Sequence, residues 1–502
     1  MYRRSTPGQL SFENFYLPFG GKLSGENRWV KLAQLIPWEE FEAQYAQQLS
    51  EGMGAPAKPF RMALGALIIK ERLGTSDIET VEQIRENPYL QFFLGLSEYS
   101  DKAPFEASML VHFRKRLHRE LIGQINEAIV KQSCENEPPQ QETAVSSSDP
   151  MDEDNDDEEP PSASHAGQLI IDASCAPVDI HYPTDLGLLN EAREQTEHII
   201  DFLYEQVREQ VAQKPRTYRR KARQQYLHIA KQRQVKRKAR RKAIGQQLRY
   251  LRRNLSHIDI LIAAGASLAQ LDKQLYRKLL VIRELFRQQQ WMYQQRQRRI
   301  DDRIVSIAQP HVRPIVRGKA GTPVEFGAKI VISCVNGYVF LEHLDWNNFN
   351  ESTHLPEQIE RFKQRFGHYP ASVYADQIYR TRANHQYCRE QGIRLSGKPL
   401  GRPKQSEQAD IQKQAQADAA IRNQVEGKFG VSKRRFSLAR VMAKLAPTAE
   451  TAITMTFLVM NLEQLLRQLL LIFFAVVLPQ KVFQFNRWQR QWRKPQFALA
   501  TA

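Results

Sequence analysis

Three acidic residues that stand far apart in the chain occur in segments that could bring them together. Asp172 and Asp376 each end a short apolar run, and Glu426 lies in a basic stretch, 421–442, with helical character. Two carboxylates on adjacent buried strands and a third on a packed helix would form an all-oxygen site for divalent cations. Two such cations can activate an oxygen nucleophile and stabilise the leaving oxygen of a phosphodiester. The pattern therefore predicts metal-dependent cleavage and joining of nucleic-acid strands.

The spacing of charged residues around Glu426 is relevant to the same chemistry. Arg422 precedes Glu426 by four residues and Lys433 follows it by seven, which places all three on one stripe of a helix. A carboxylate between two cations suits a metal ligand beside phosphate-binding groups. The same spacing also fits an ordinary surface ion pair between Arg422 and Glu426. Position by itself leaves both interpretations open.

Composition limits the classes of function. The chain has 502 residues and a formal net charge of +17, although the window 149–159 carries eight acids and no base. The basic remainder favours a polyanionic partner, with a solubilising basic surface as the alternative. Four dispersed cysteines argue against a disulfide framework or zinc site and favour a reducing compartment. We expect a cytoplasmic protein without a membrane span, because the start lacks a signal-like apolar region and the most apolar stretch, 469–478, is too short.

The first part of the chain, 1–133, is predicted to be helical. Ser76-Asp77-Ile78-Glu79 is a capping-box pattern, and Asn87-Pro88 should end the helix that it starts. A second helix over 109–117 buries an apolar side and carries Arg114, Lys115 and Arg116. This arrangement resembles a helix-turn-helix that reads a DNA groove. An amphipathic helix with a solvated face explains it equally well.

Two segments interrupt the regular pattern. Residues 134–166 are rich in Pro, Ser and acids and predict a disordered linker. Residues 190–300 predict long helices, because leucines and isoleucines recur at three- and four-residue spacing over 248–262 and 275–286, as in a helical hairpin or short coiled coil. Seventeen Lys and Arg residues and no acids lie between Lys214 and Arg253. Such a helix could follow a phosphate backbone, with a solvated face as the alternative.

The remainder predicts a mixed α/β sheet with packed helices. Strands are expected over 168–172, 327–335 and 338–346, the last two joined by an Asn336-Gly337 turn. A helix over 355–366, the strand ending at Asp376, a short strand over 392–395 and the helix with Glu426 follow. Two or three apolar helices should close the chain. Asp185, Glu325 and Asp345 are the alternative acids if this assignment is wrong.

Several motifs in this order resemble the DDE transposases of bacterial insertion sequences, in the group of insertion sequence family five. The motifs are Ile170-Ile171-Asp172-Ala173-Ser174, Tyr182-Pro183-Thr184-Asp185, Pro323-Val324-Glu325-Phe326-Gly327, Ala375-Asp376-Gln377-Ile378-Tyr379-Arg380 and Glu426-Gly427-Lys428-Phe429-Gly430. The helical segment 60–117 is similar to the domain that precedes the catalytic core in that group. The chain departs from the family's Tyr-Arg-Glu-Lys signature in one place, since Ala419 stands where the tyrosine is expected. The basic insert follows the first strand, whereas many relatives carry theirs later.

The resemblance implies a ribonuclease H-like core in which Asp172, Asp376 and Glu426 are catalytic and bind two magnesium ions, with manganese as a substitute. The implied activity is cleavage at the terminal inverted repeats of a mobile element and transfer of the freed 3′-hydroxyl to target DNA. Double-stranded DNA is the expected partner of a homodimer or larger complex that associates with the nucleoid. The expected DNA-binding residues are Arg114, Lys115, Arg116, Arg380, Arg422, Lys428 and Lys433.

The corresponding domain organisation divides the chain into five parts. They are a helical DNA-binding domain (1–133), an acidic linker (134–166), a catalytic core (167–189 and 301–450), a basic helical insert (190–300) and apolar carboxyl-terminal helices (451–502). Two other functions remain open: a catalytically inactive DNA-binding descendant, and a ribonuclease H-like endonuclease.

Overall fold

The computed structural model describes residues 11–49, 56–135, 165–316, 324–398 and 408–492. Within these ranges a six-stranded mixed sheet is covered by helices, so the predicted mixed α/β class is confirmed. The acidic linker predicted over 134–166 lies, from 136 to 164, outside the described residues. In the described part of the chain, every helix is too short or too polar to span a membrane.

The amino-terminal part of the described chain is helical. Ser76 Oγ accepts a hydrogen bond from the Glu79 N–H at 3.1 Å, so the predicted cap starts a helix. That helix ends before Asn87, and Pro88 begins the next one, since proline needs no amide hydrogen at a first helical position. The helices are α1 (Arg28–Leu35), α2 (Trp38–Ala46), α3 (Phe60–Leu73), α4 (Asp77–Glu86), α5 (Pro88–Phe93), α6 (Met109–Arg116) and α7 (Arg119–Glu135).

The sheet has the order β2-β3-β1-β5-β6, and β4 also pairs with β3. Its strands are β1 (Gln168–Pro177), β2 (Arg313–Val316), β3 (Val324–Val335), β4 (Tyr338–Asp345), β5 (Ser372–Tyr374) and β6 (Arg394–Leu395). Asn336 and Gly337 join β3 to β4 with positive φ angles of 50° and 82°, as the predicted two-residue hairpin requires.

Strand direction decides where the chemistry can lie. β3 is antiparallel to both β1 and β4, whereas β5 is parallel to β1. β1, β4 and β5 therefore run the same way, and the segments after their carboxyl ends meet at one edge of the sheet. Open α/β sheets bind ligands outside such carboxyl ends.

The segment after β1 is the predicted helical insert, with a hydrophobic core of its own. Its helices are α8 (Asp185–Gln206), α9 (Arg219–Ala230), α10 (Arg237–Ala263) and α11 (Lys273–Gln295). The predicted seam of α10 is buried, but it packs against α8 as well as α11, so the unit is more than the predicted hairpin. The sequence prediction did not include α8 as a partner because it took the seam from 248–262 and 275–286 alone.

The later helices differ in length from the prediction. They are α12 (Leu355–Phe366), α13 (Arg382–Glu390), α14 (Gln408–Arg435) and α15 (Ala446–Trp492). The Glu426 helix α14 begins before residue 421 and ends before residue 442, the bounds predicted for it. It ends early because a 3₁₀ turn follows at Ser437–Ala439, after which Val441 pairs with Val178 beside β1. One helix, α15, replaces the predicted two or three.

The amino-terminal helices, the sheet and α15 share one hydrophobic core. Buried polar contacts hold α15 in place: Asn461 donates to the Val339 carbonyl of β4 at 2.8 Å and to Asn126 Oδ1 of α7 at 2.9 Å. Glu71 of α3 accepts from the hydroxyls of Thr456 and Ser437. Each fully buried leucine or phenylalanine contributes roughly 1.5–3 kcal/mol. The proposed domain boundaries stay a prediction.

Candidate active site

Asp172 lies in the middle of β1, the strand that pairs with β3 on one side and β5 on the other. The neighbouring Ile171 and Ala173 are buried, whereas Asp172 is half-buried. Its Oδ1 accepts a hydrogen bond from the Ala173 N–H at 2.8 Å. Asp172 is thus a carboxylate on a rigid central strand.

Asp376 follows the neighbouring parallel strand. β5 pairs Ile170 with Tyr374, and continuing that register by two positions puts Asp376 opposite Asp172. The Asp376 side chain caps a 3₁₀ turn, Gln377–Tyr379, by accepting from the Gln377 N–H at 2.8 Å. Both acids line one pocket at the shared edge of the sheet.

A third acid that the sequence did not single out, Glu351, lines the same pocket. It begins a 3₁₀ turn, Glu351–His354, in the segment after β4. Lys329 of β3 holds its carboxylate, with Nζ 2.8 Å from Oε1. The direction of the strands could have indicated this residue. Because β4 runs parallel to β1, the segment that follows β4, 348–351, reaches the edge of the sheet where Asp172 and Asp376 lie.

The pocket is electrostatically unfavourable for several negative charges. Burial, together with the carboxylates of Glu351 and Asp376, raises the pKa of Asp172 to about 6. The Ala173 N–H and the Arg422 guanidinium act in the opposite direction. A divalent cation would relieve this repulsion, and the donors are the oxygens that magnesium prefers.

Glu426 is connected to Asp376 by the side chain of Arg422, which contacts both carboxylates. Arg422 of α14 donates to Asp376 Oδ1 at 2.8 Å, and its Nη2 lies 3.4 Å from Glu426 Oε1. Glu426 does not line the pocket, and its side chain is 53% exposed. Among the described residues no three His, Cys, Asp or Glu side chains form a group that could hold a metal ion.

The predicted direct cage of three acids is therefore not assembled in this structure. Asp172 and Asp376 are brought together, whereas the Arg422 guanidinium lies between Asp376 and Glu426. The positive charge of that guanidinium compensates both carboxylates. Two acids of the predicted set, with Glu351, suit a divalent cation in their chemistry.

Lys433 shows that the stripe predicted on α14 faces the sheet. Its Nζ donates to Ser174 Oγ of β1 at 3.0 Å, two residues beyond Asp172. Arg422 and Lys433 thus place positive charge on either side of Glu426 along the edge of the pocket. Lys428 is different: it points to α15, where Nζ donates to Gln464 Oε1 at 2.8 Å, and burial lowers its pKa.

The predicted DNA-binding residues of α6 have different surroundings. Arg114 is buried, and its guanidinium makes two hydrogen bonds to the Asp77 carboxylate at 3.1 and 2.6 Å. That ion pair joins α6 to α4 inside the protein and leaves little of the Arg114 side chain at the surface, so its role as a DNA contact stays a prediction. Lys115 is exposed, and Arg116 is half-buried beside the Tyr45 hydroxyl.

Arg380, the last predicted DNA contact, packs over the backbone of Gly397. A Cβ built on Gly397 would overlap the Arg380 guanidinium carbon, and Gly397 has φ +100°. The alternative acids lie elsewhere: Asp185 pairs with Arg303 at 2.5 Å, and neither Glu325 nor Asp345 lines the Asp172 pocket.

The insert presents a basic surface. Exposed bases are concentrated on α9 and on the first turns of α10: Arg219, Arg220, Lys221, Arg223, Arg237, Lys238, Arg240 and Lys242. Of these, Arg219 pairs with Asp201 of α8 at 2.5 Å. A surface with so many exposed bases suits a phosphate backbone.

Comparison with known proteins gives two family matches. The Transposase DDE domain matches residues 373–463, which include Asp376 and Glu426. The Transposase domain (DUF772) matches residues 18–116, which include α1 to α6. The two matches lie on either side of the Asp172 strand and the insert.

A curated relative matches over a shorter region. The chain is 33% identical over 106 residues to the uncharacterized protein ORF8 in the nfe locus of Rhizobium meliloti. The aligned region is 21% of this chain, and the chain spans about half, 51%, of the length of that relative. No solved structure matches. The two transposase domain models and this relative agree with the resemblance drawn from the sequence to the DDE transposases of insertion sequences.

Proposed function

We propose that the chain is the transposase of an insertion sequence, which binds the terminal inverted repeats, cuts the strands at the ends and joins them to target DNA. The single observation that supports this best is the register of β1 and β5, which brings Asp172 and Asp376 opposite each other at one edge of the sheet. The proposal includes the ribonuclease H-like identity of the core. It is supported by the antiparallel β4-β3-β1 and parallel β1-β5-β6 pairings.

In the cutting step, water attacks the phosphorus at the element end, and the bond from phosphorus to the 3′ oxygen breaks. This releases a 3′-hydroxyl on the element and a 5′-phosphate on the flanking strand. In the joining step that 3′-hydroxyl attacks a target phosphodiester, forms a new phosphorus–oxygen bond and releases a target 3′-hydroxyl. Both steps are displacements at phosphorus.

Asp172, Asp376 and Glu426 would hold two magnesium ions, or manganese ions, in the proposed enzyme. Bound there, such ions supply a lowered pKa for the attacking oxygen and charge stabilisation at the leaving oxygen. The sheet fixes the two aspartates. Arg422 and Lys433 lie where they can contact the phosphates beside the scissile bond, and Arg422 must give up part of its pairing with Asp376 to do so.

The DNA duplex would extend from the pocket to the basic surface of the insert. Lys115 and Arg116 on α6 remain candidates for contacts to the element end, whereas Arg114 supports the helix from inside. A homodimer or larger complex, in the cytoplasm and on the nucleoid, follows from the need to hold two ends together. These partners are part of the proposal.

The test uses a labelled duplex that carries the inverted repeat found beside the reading frame. Wild type with magnesium should release a strand with a 3′-hydroxyl and should join it to a plasmid. Asp172→Ala, Asp376→Ala and Glu426→Ala should each lower cleavage at least about 100-fold, since each removes a proposed metal ligand. Asp345→Ala, an acid at the end of β4 outside the pocket, is the matched control and should cut normally.

Two other results separate the alternatives. Cleavage without any joined product would favour a nuclease. Binding without cleavage in magnesium or manganese would favour an inactive DNA-binding descendant, which the Arg422 bridge between Asp376 and Glu426 supports. Full cleavage by all three alanine variants would show that the catalytic site is misassigned.

A further inference from the structure

The acid Glu351 raises a question that the three-acid site does not answer. It lies in the pocket of Asp172 and Asp376 and is paired with Lys329, and both side chains are largely buried. Burying two charges is unfavourable unless the pair has good geometry and further partners. Lys329 has such partners, since its Nζ also donates to the Phe349 carbonyl at 2.7 Å. Glu351 is thus held firmly in a pocket that already contains two acids.

The turn with Glu351 is fastened to the turn with Asp376. The buried amide of Asn384 donates to the Ser352 carbonyl and to the Tyr379 carbonyl, each at 2.8 Å. One side chain therefore fixes the distance between the two turns. Glu351 and Asp376 are consequently positioned as a unit rather than as ends of independent loops.

A buried polar atom beside these acids has no partner. The Tyr379 side chain is 0% exposed, and its hydroxyl makes no hydrogen bond within the described part of the chain. Tyr379 ends the 3₁₀ turn that Asp376 caps. Burial raises the pKa of Tyr379, and the charges of Glu351, Asp172 and Asp376 act in the same direction. A buried hydroxyl without a partner is unfavourable, and such atoms often indicate a missing water or ion.

The carboxylates of Asp172, Asp376 and Glu351 line one pocket but do not form a ready-made metal-binding group in the described structure. We propose that a divalent cation draws these three carboxylates together, with Glu351 as a further ligand, and that the Tyr379 hydroxyl donates to the hydration shell of that ion. This inference rests on the proposed function, because it concerns the metal site of the same pocket. The Lys329 ion pair uses Oε1 of Glu351, and within the described residues Oε2 has no hydrogen bond, so it remains available. Glu351 thereby provides the third acid that Glu426 does not supply in this structure.

The test measures metal binding without DNA. Purified full-length protein is titrated with Mn²⁺, and free Mn²⁺ is followed by its electron paramagnetic resonance signal. Glu351→Gln keeps the shape of the side chain and removes its charge, so the affinity should fall at least about tenfold. Glu357→Gln, at an exposed position on α12 close in sequence, is the matched control and should bind like wild type.

A second variant guards against a folding artefact. Glu351→Gln leaves Lys329 largely buried without its partner, which could lower stability. Lys329→Gln combined with Glu351→Gln replaces the ion pair with two neutral amides. The double variant should recover the unfolding temperature in EDTA while its Mn²⁺ affinity stays low. Recovery of both would show that Glu351 acts only on folding and would overturn the proposal.

The tyrosine gives an independent measurement. Tyr379→Phe removes a hydroxyl without a partner, so the metal-free protein should melt at the same or a higher temperature. Its Mn²⁺ affinity should nevertheless fall severalfold. Unchanged affinity in both Tyr379→Phe and Glu351→Gln would overturn the proposal.

Asp172→Asn separates this inference from the proposed function. If Asp172→Asn loses Mn²⁺ binding and Glu351→Gln does not, the aspartate site stands and only the role of Glu351 is wrong. If Asp172→Asn also binds Mn²⁺ like wild type, the proposed metal site itself is wrong.

Discussion

Replacing Asp172 with asparagine should stabilise the metal-free protein, because its carboxylate is held in an unfavourable place. Burial raises the pKa of Asp172 from 3.8 to about 6, with the charges of Glu351 and Asp376 adding to the effect. Each pH unit of such a difference corresponds to roughly 1.36 kcal/mol. The ionised carboxylate therefore lowers the stability of the fold by about 3 kcal/mol.

The direction of the pH dependence follows from the protons bound. Unfolded Asp172 loses its proton near pH 3.8, whereas folded Asp172 keeps it to about pH 6. The folded state binds more protons in that window, so stability falls as pH rises through it, and the full loss is present above about pH 6. In the Asp172→Asn variant the side-chain amide is neutral throughout, and its oxygen can still accept from the Ala173 N–H.

The assay is urea unfolding in EDTA at pH 8 and pH 4. Asp172→Asn should exceed wild type by about 3 kcal/mol at pH 8 and by less than about 1 kcal/mol at pH 4. Asp101→Asn, at an exposed loop position, should show no such pH-dependent gain. A variant no more stabilised at pH 8 than at pH 4 would refute the electrostatic account of the pocket.

Three further predictions concern other parts of the molecule. Changing three exposed bases of α9 to glutamine should make the slope of log affinity against log salt concentration for duplex binding shallower by about three, if each base contacts one phosphate. Fluorescence anisotropy measures this slope, and an unchanged slope would show that α9 does not contact the duplex. The three bases are Arg220, Lys221 and Arg223. Burial, with the charges of Arg277 and Arg313, lowers the pKa of His311 to about 4, so the unfolded state takes up a proton first as pH falls below 6.5. The fold therefore loses stability between pH 6.5 and about 4, and His311→Gln should lessen that loss in urea unfolding, whereas His181→Gln, at an exposed position, should not. Gly397→Ala should lower the free energy of unfolding by about 1–3 kcal/mol, because Gly397 has a positive φ and lies against the Arg380 guanidinium. Gly74→Ala should cost less, because a Cβ there would meet open space. Equal losses in urea unfolding would contradict the contact between Gly397 and Arg380.

Much of the sheet could be predicted because its signals are local. Asn336-Gly337 needs only two residues with positive φ, and Gly367 ends α12 for the same reason. The Ser76 cap depends on one side chain and the amide three residues later. These features do not require knowledge of the partner elements.

The errors occur where distant parts of the chain decide the outcome. Arg114 looks like an exposed base in a basic helix, but Asp77 on α4 pairs with it. Glu351 belongs to no recognisable motif, and its position near Asp172 can be predicted only when β4 is known to run parallel to β1. Arg422 was expected to be a neighbour of Glu426, and its bond to Asp376 depends on how α14 packs on the sheet.

The long helix α15 has a consequence for how the protein is made. It packs against α3, α6, α7 and β4, all of which end at Asp345 or earlier in the chain, whereas α15 begins at Ala446. During translation those surfaces stay uncovered until the ribosome has released α15. A polypeptide cut short before Ala446 would expose them and would be a substrate for proteases. Only chains that include α15 can therefore complete the shared hydrophobic core.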